Sequence, residues 1–389
     1  MTEIPREDLL VYLAGTPYDG PAGTDRHIAD ELSRLTPVLF VDPPTSALTR
    51  LRNPEIARDQ PTLTTVRPGL ARLSPRVAPG MYRPGTHLLM PPLMRRAIRK
   101  AVDELCGPGD RPVAALVSTR VEDLLHAVPA RRTVFYATDD LVAGADLIGI
   151  PRDRLAAQEA ATLHRAEAIA VVSQSLVDKY AEMGHAATML PNGCAPGAYA
   201  GVDEAQVPAD AILSGPVAGF VGYVNDRIDL DLLEAVADTG SSLLIVGPVA
   251  PGYQSERFTA LASRPNVRHT GPKPFADLPG YLRVIDVGLT PYADTAFNRA
   301  SFPLKTLEYL AAGRDVIATP LPANEWLGTD LITVAAGPQA FAEATVKALG
   351  HSRTDDLAGR RRAFAARHSW TNRARALAGL AALTKGAAA

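Results

Sequence analysis

The sequence predicts an α/β protein with two doubly wound parallel sheets. Short apolar runs of strand length alternate with amphipathic stretches of helical periodicity, and this alternation occurs in each half of the chain. A segment at 193–215, rich in Gly, Pro and Ala and without helical periodicity, separates the halves. Strands that alternate with helices pair in parallel, and such sheets bind ligands beyond the carboxyl ends of their strands. We expect domains at 1–200 and 210–365.

Each predicted strand is a short apolar run. In the first half these runs lie at 9–14, 38–41, 113–118, 133–137, 168–173 and 188–190. In the second half they lie at 218–223, 242–246, 267–270, 287–290, 316–319 and 332–334. The stretch at 229–237 is typical of the helices between them.

Length, charge and cysteine content restrict the function. A chain of 389 residues is long enough for two cores, and 40 Lys plus Arg against 42 Asp plus Glu do not favour a nucleic-acid partner. Cys106 and Cys194 are not at metal-ligand spacing, and so few cysteines indicate a reducing compartment. Residues 1–8 are acidic and polar, unlike a signal peptide, and no apolar run reaches membrane-spanning length. We therefore expect a cytoplasmic protein.

A predicted helix at 301–313 has a cation where the helix dipole disfavours one. Residues suited to its cap, its first turn and its end are Ser301, Pro303 and Gly313. Lys305 in the first turn opposes the macrodipole, whereas an anion there meets free N–H groups. The position of Lys305 is explained if its side chain binds an anion. Glu308 lies on the same helix face and is then placed to bind hydroxyl groups of the same ligand. An ordinary surface pair between Lys305 and Glu308 is the alternative.

Arg227 has a comparable position in the same half. It follows the predicted strand 218–223 and opens the next helix, for which Asn225 or Asp226 is the predicted cap. Its planar guanidinium suits bidentate binding of phosphate. The alternative is an i, i+4 ion pair with Asp231. Two cations at strand ends of one predicted sheet indicate an anion site.

The C-terminal pattern resembles a known family. Pro303, Lys305 and the run Glu308-Tyr309-Leu310-Ala311-Ala312-Gly313, before an apolar strand, resemble the signature of retaining group 1 (family 4) glycosyltransferases, in the branch similar to teichuronic acid transferases. The resemblance implies the GT-B fold, with two Rossmann-like domains facing a central cleft and a C-terminal helix, 366–389, crossing back to the N-terminal domain. It also implies that Lys305 binds the donor diphosphate and Glu308 the ribose hydroxyls.

One position departs from this signature. Many members carry another glutamate eight positions before the second, and this chain has Ala300 there. We expect Asn298, Ser301 or nearby backbone to replace its contacts with the donor sugar.

The resemblance extends to loops in both halves. The predicted catalytic residues are Arg227, Lys305 and Asp139. The predicted donor-binding residues are Gly23, Gly222, Tyr223, Gly247, Pro248, Asn298, Ser301, Leu304 and Glu308. The predicted acceptor-binding residues are His27 and Asp140. A core histidine is the alternative for His27, and a helix cap is the alternative for the two aspartates.

Motifs of other chemistries are absent from the sequence. It has no Gly-x-Gly-x-x-Gly fingerprint, Walker A run, His-Glu-x-x-His helix or Gly-x-Ser-x-Gly elbow. We predict transfer of a sugar from a nucleotide diphosphate sugar to a hydroxyl or amine of a glycan, lipid or small natural product. Retention is implied by the family, and neither metal nor cofactor is expected because Lys305 and Arg227 neutralise the leaving diphosphate. A non-hydrolysing sugar-nucleotide epimerase and a non-catalytic carbohydrate-binding protein are the alternatives.

Two basic segments remain. For the cluster Arg95, Arg96, Arg99 and Lys100, the alternatives are a solvated helix face and peripheral contact with an anionic lipid or polymer. No obligate protein partner is expected. A last basic helix is predicted at 360–383, with Trp370 as a packing anchor.

Overall fold

The computed structural model describes residues 4–20, 22–46, 62–77, 86–120, 124–351 and 354–383. Two compact units share the chain. The first comprises 1–172, 176–190 and 371–389, and the second comprises 173–175 and 191–370. The change of unit after Leu190 precedes the Gly- and Pro-rich segment 193–215.

Strands and helices are numbered in chain order. The strands are β1 (Leu10–Leu13), β2 (Val38–Val41), β3 (Thr45–Ser46), β4 (Leu63–Arg67), β5 (Leu70–Leu73), β6 (Arg76–Val77), β7 (Ala115–Ser118), β8 (Thr133–Ala137), β9 (Ala168–Val171), β10 (Thr188–Met189), β11 (Val217–Val221), β12 (Ser242–Val246), β13 (Val267–His269), β14 (Val287–Thr290), β15 (Asp315–Ala318) and β16 (Thr333–Val334). The helices are α1 (Thr24–Leu32), α2 (Met90–Cys106), α3 (Ala145–Ile148), α4 (Arg152–Arg165), α5 (Gln174–Glu182), α6 (Leu230–Asp238), α7 (Ser255–Ala262), α8 (Leu278–Val284), α9 (Ala296–Ala300), α10 (Leu304–Ala311), α11 (Pro322–Leu327), α12 (Pro338–Leu349), α13 (Asp355–Arg367) and α14 (Trp370–Leu380).

The first unit is organised on an eight-stranded sheet of order β10-β9-β8-β7-β1-β2-β5-β4. Its neighbouring strands pair in parallel except β4 with β5, which are antiparallel. Because β1 lies between β2 and β7, the chain leaves the sheet in opposite directions after β1 and β7. Such a topological switch point is where open α/β sheets bind ligands.

The second unit has a six-stranded parallel sheet of order β13-β12-β11-β14-β15-β16. Its switch point lies between β11 and β14. The loops that follow these two strands, at 222–229 and 291–295, therefore border the expected ligand crevice of this unit.

Buried apolar strands explain both sheets. Strands β1, β2, β8, β11, β12 and β14 are buried at every position, as expected for parallel strands with helices on both faces. Each of the twelve predicted apolar runs contains a strand, so the predicted fold class is confirmed. The sequence did not predict β3 to β6, because polar residues interrupt their apolar pattern.

The C-terminal helix was predicted wrongly as one element at 360–383. The structure has α13 and α14, and the break between them follows from pairing with Cys194. The Cys194 N–H donates to His368 O over 2.9 Å, and the Trp370 N–H donates to Cys194 O over 3.0 Å. These bonds replace helical ones at the break. Trp370 is buried there as predicted.

From Thr371 onward, α14 belongs to the first unit, as the resemblance implied. The Thr371 hydroxyl donates to a Glu31 carboxylate oxygen over 2.9 Å, and Arg132 Nε donates to Leu380 O over 3.3 Å. None of the helices in the described ranges is both long and apolar enough to cross a membrane.

Gly247 provides a direct test of the backbone around the second switch point. Its φ is +137°, and a Cβ there would lie only 1.9 Å from Gly222 O. We expect Gly247→Ala to lower the free energy of unfolding by about 3 kcal/mol or more, from backbone strain plus overpacking. Denaturant unfolding measures this loss.

Gly240→Ala is the matched control. Gly240 also has a positive φ, +80°, but a Cβ there would contact nothing within 4 Å. Its substitution should cost only about 1 kcal/mol of backbone strain. Equal losses for both variants would contradict the close approach of Gly247 to Gly222.

Candidate functional site

The candidate site lies at the carboxyl end of the sheet in the second unit. Main-chain hydrogen bonds join the two loops that leave the switch point. The Asp229 N–H donates to Pro291 O over 2.8 Å, and the Ala293 N–H donates to Arg227 O over 2.9 Å. The loop containing Arg227 is therefore fixed against the segment that leads into α9.

Arg227 is positioned by Asn298. Its Nε donates to Asn298 Oδ1 over 2.9 Å. The predicted alternative, an ion pair with Asp231, does not form, because Asp231 pairs with Arg257. The predicted helix start was also wrong: α6 begins at Leu230, with the Asp229 carboxylate as its N-cap. Arg227 thus lies in the loop, with its guanidinium directed by a side chain from another segment.

Aromatic rings flank the Arg227 guanidinium. Its carbon lies 4.9 Å from the centroid of the Phe297 ring and 5.5 Å from that of Tyr292. Both distances are within the range of cation–π attraction. The rings stabilise the charge and leave other guanidinium N–H groups available for an anion.

Lys305 and Glu308 form a pair, but it is not a surface pair. Lys305 Nζ lies 2.6 Å from Glu308 Oε2, and the two side chains are only 22% and 11% exposed. Burial of paired charges costs desolvation free energy that their attraction offsets only in part. This arrangement differs from the solvated pair that was the alternative from sequence.

The helix bearing this pair has no side-chain cap. Its N-cap position is occupied by Pro303, and α10 begins at Leu304. The predicted cap, Ser301, instead ends α9, and its hydroxyl donates to Phe297 O over 2.9 Å. First-turn N–H groups of a helix without a side-chain cap are suited to donate hydrogen bonds to an anion. The predicted end is correct, since Gly313 follows α10 with φ +76°.

The three charged residues converge on Tyr292. Burial raises the pKa of the Tyr292 hydroxyl, the positive charges of Arg227 and Lys305 oppose this shift, and the negative charge of Glu308 adds to it. Lys305 and Glu308, 78 and 81 positions after Arg227, thus contribute with it to the electrostatic environment of one side chain. The structure brings together the two predicted cations and the predicted ribose-binding glutamate.

Asn298 and Ser301 have structural partners of their own. Besides accepting from Arg227, Asn298 donates through Nδ2 to Arg227 O and Ala293 O, over 2.9 and 2.8 Å. Its side chain is fully buried, and Ser301 is nearly so. These bonds join the loops and position Arg227, and the contact of Asn298 or Ser301 with a donor sugar stays a prediction.

The remaining predicted donor residues lie around the same loops. Gly222 follows β11 and its N–H donates to Val246 O over 2.9 Å. Tyr223 and Pro248 are exposed, Leu304 is half-buried and Gly247 is buried. Tyr309 stabilises the end of β11, because its hydroxyl accepts the Val221 N–H over 2.8 Å.

Sequence reasoning missed Tyr199 next to Glu308. Tyr199 ends the 3-10 turn Pro196–Tyr199 and is 1% exposed. Burial raises the pKa of its hydroxyl, and the Glu308 carboxylate adds to the shift. The hydroxyl has no well-formed hydrogen bond to the described part of the chain. An isolated tyrosine in a Pro- and Gly-rich segment gave no sequence signal for this position.

In the first unit, the loop after β1 is held by Asp25, a residue that the sequence analysis did not single out. The Asp25 carboxylate accepts N–H groups of Gly15 and Thr16, over 2.8 and 2.9 Å, and the Tyr12 hydroxyl over 3.1 Å. Burial raises the pKa of Asp25, although hydrogen bonds from Thr119, Thr16 and Tyr12 oppose the shift. Gly23 is the N-cap of α1, and His27 is a half-buried residue of that helix.

The two aspartates after β8 differ. Asp140 is buried, accepts the Ala143 N–H over 2.9 Å and pairs with Lys179 at 2.8 Å. This is the turn-capping role that was its alternative. Asp139 is half-buried beside it, and its charge contributes to raising the pKa of Tyr136.

Within the described ranges, no group of three or more His, Cys, Asp or Glu residues has a geometry that could hold a metal ion.

Comparisons with known proteins agree with the fold. Residues 215–351, less than half of the chain, match the family model "Glycosyl transferases group 1". TuaH of Bacillus subtilis (strain 168), named for a glycosyltransferase role in teichuronic acid biosynthesis, is 32% identical over 173 residues. That match covers 42% of this chain and spans less than half, 43%, of the relative.

Solved structures resemble the chain over nearly its whole length. Sucrose-phosphate synthase from Thermosynechococcus elongatus has a TM-score of 0.72 at 16% identity, covering 97% of this chain and 98% of that one. WaaG, a glycosyltransferase involved in lipopolysaccharide biosynthesis, has a TM-score of 0.65 at 17% identity, covering 97% and 100%. HepE from Anabaena, solved with UDP and glucose, has a TM-score of 0.65 at 15% identity, covering 97% and 99%. At these identities the likeness establishes the fold.

The sheet orders, the matched segment and the structural neighbours lead to one conclusion: the chain has the GT-B fold of two Rossmann-like units, and its residues 215–351 match the family model of group 1 glycosyl transferases.

Proposed function

We propose that the protein is a glycosyltransferase that moves a sugar from a nucleotide diphosphate sugar to a hydroxyl or amine of a glycan, lipid or small-molecule acceptor. The observation that supports this most is the convergence of Arg227, Lys305 and Glu308 around Tyr292, at the switch point of the second sheet. Two cations and one carboxylate suit a diphosphate joined to a ribose.

In this proposal Arg227 and Lys305 bind the donor diphosphate. Negative charge develops on the departing nucleoside diphosphate as the glycosidic bond breaks, and fixed cations stabilise that charge most at the transition state. Arg227 is held in place by Asn298 before any ligand binds, so little reorganisation is needed. Lys305 exchanges its contact with Glu308 for the phosphate, which leaves the Glu308 carboxylate free to accept ribose hydroxyl groups.

Retention of configuration and independence of metal ions are further parts of the proposal. Retention rests on the resemblance to group 1 enzymes. Metal independence rests on the two cations, which supply the positive charge that a divalent ion would provide at the diphosphate. Among the structural neighbours, HepE was solved with UDP and glucose, which makes UDP a sensible first probe.

The donor is identified first by thermal shift with UDP, GDP, ADP, dTDP and their sugar conjugates, because a ligand of the folded state raises its stability. Transfer is then assayed with the conjugate that binds. Formation of an epimerised sugar nucleotide from donor alone would assign an epimerase instead. Binding without turnover of any donor and acceptor would assign a carbohydrate-binding protein.

The first kinetic prediction concerns the two cations. We expect Lys305→Ala and Arg227→Ala each to lower kcat/KM for transfer by a factor that corresponds to about 2–4 kcal/mol, the cost of losing a charge-assisted contact to the leaving group. The controls are Lys273→Ala and Arg257→Ala, which remove cations paired elsewhere in the same unit. Activity within a few-fold of wild type for both site variants would overturn the diphosphate assignment.

The second prediction concerns Glu308. Replacing its anionic carboxylate by a neutral amide weakens the bonds from ribose hydroxyls, so Glu308→Gln should reduce affinity for the cognate nucleoside diphosphate by about tenfold or more. Titration calorimetry measures this change. Glu325→Gln, at an exposed glutamate of the same unit, is the control. Unchanged affinity with a lowered melting temperature would mean that Glu308 only stabilises its helix.

The third prediction concerns metal removal. If Arg227 and Lys305 neutralise the diphosphate, transfer should continue at an unchanged rate in saturating EDTA. Initial rates with and without the chelator decide this. Loss of transfer in EDTA, with recovery on adding magnesium or manganese, would contradict the proposal.

A further inference from the structure

Three large apolar side chains are exposed together where α2 begins. Leu88 and Leu89 end the 3-10 turn Thr86–Leu89, and Leu93 lies in the first turn of α2. Their exposed fractions are 69%, 57% and 47%. Single exposed leucines are ordinary on protein surfaces, but a contiguous apolar patch marks an interaction site.

The same helix face continues with two cations. Leu93, Arg96 and Lys100 are spaced by three and four residues, so they lie on one face of α2 together with Leu89. Arg96 and Lys100 are exposed, and neither forms an ion pair with a described residue. The opposite face is buried in the first unit through Met90, Met94, Ile98, Ala101, Val102 and Leu105. The exposed face is therefore amphipathic along its length, with leucines at its start and cations behind them.

Arg99 and Asp103, two further charged residues near this face, have partners in the protein. Arg99 Nε donates to Ala127 O over 2.9 Å, and Asp103 is paired with Arg6. Glu104, four residues after Lys100, is the acidic residue at the far end of the stripe. Positive charge thus lies closest to the leucines.

These groups are arranged as in a helix that lies along a membrane surface. Arg96 and Lys100 follow Leu93 by about one and two helical turns, so the cations and the leucines share one exposed face of α2. Surface-bound apolar side chains enter the boundary of headgroups and acyl chains to a depth of roughly 5–10 Å. Long basic side chains extend from there to the phosphates.

We propose that this face, formed by Leu88, Leu89, Leu93, Arg96 and Lys100, docks the protein on an anionic lipid bilayer. The leucines enter the interface, and the two cations bind lipid phosphates. Charge complementarity selects an anionic bilayer as the occupant, because the cations that border the leucines have no counter-ion among the residues that the structure describes. This proposal is independent of glycosyl transfer.

Co-sedimentation of the full chain with vesicles tests the proposal. The vesicles contain phosphatidylglycerol and phosphatidylcholine in equal amounts, or phosphatidylcholine alone. The wild type should bind the anionic vesicles more tightly. The triple variant Leu88→Ser, Leu89→Ser, Leu93→Ser should bind them about tenfold or more weakly at any salt concentration, because it loses apolar contact. The affinity of the variant Arg96→Glu, Lys100→Glu for anionic vesicles should fall by a similar factor at low salt. At high salt the difference from wild type should be smaller, because screening removes the contribution of the cations.

Matched variants control for general surface changes. Leu35→Ser with Ile212→Ser removes aliphatic side chains that are 52% and 67% exposed elsewhere, and Arg111→Glu with Lys347→Glu makes the same charge change at other exposed positions. Both should bind like wild type, and all variants should keep the wild-type melting temperature. Failure of the wild type to bind anionic vesicles, or equal losses in the controls, would overturn the proposal. So would concentration-dependent self-association of the wild type without lipid that the leucine variant loses, which would assign the face to a second copy.

Discussion

The hydrogen bonds of Asn298 join the two loops on which the candidate site depends. One buried amide accepts from the Arg227 guanidinium and donates to the carbonyls of Arg227 and Ala293. The loop after β11 and the loop after β14 diverge at the switch point, and this amide adds side-chain hydrogen bonds to the main-chain ones that join them. The carbonyl and the NH2 group of this side chain both form hydrogen bonds inside the protein. Removing the side chain would leave its buried partners unpaired, at a cost of about 1–3 kcal/mol each.

Each cation of the site has partners within the protein before a ligand arrives. Lys305 is paired with Glu308, and Arg227 lies against the rings of Phe297 and Tyr292. Each cation therefore has a partner that a phosphate can replace or join without uncovering an isolated buried charge. In the proposed donor complex, where Lys305 binds phosphate, the hydroxyl of the buried Tyr199 is a donor near the Glu308 carboxylate that loses its pair. This arrangement lowers the cost of exchanging one set of contacts for another.

The first unit fixes its own switch-point loop with a comparable device. Asp25 binds the N–H groups of Gly15 and Thr16, as Asn298 binds the loops of the second unit. In both units a buried polar side chain from a helix binds a loop that leaves the sheet at the switch point. Asn298 and Asp25 therefore determine loop geometry, whereas residues such as Arg227 present the chemistry.

The sequence by itself determined the fold class and the identity of the charged residues. Short apolar runs and helical periodicity are local properties. All twelve predicted apolar runs overlap strands, and Gly313 follows the end of its helix as expected. Lys305 and Glu308 were found because a cation in a first turn conflicts with the helix dipole. Tertiary structure decided what local patterns do not encode. The partner of Arg227 is Asn298 and not Asp231, Ser301 ends one helix and does not cap the next, and pairing with Cys194 divides the C-terminal helix. Each of these outcomes depends on hydrogen-bond partners that are distant in sequence or on competition between neighbouring elements, which periodicity and propensity do not contain.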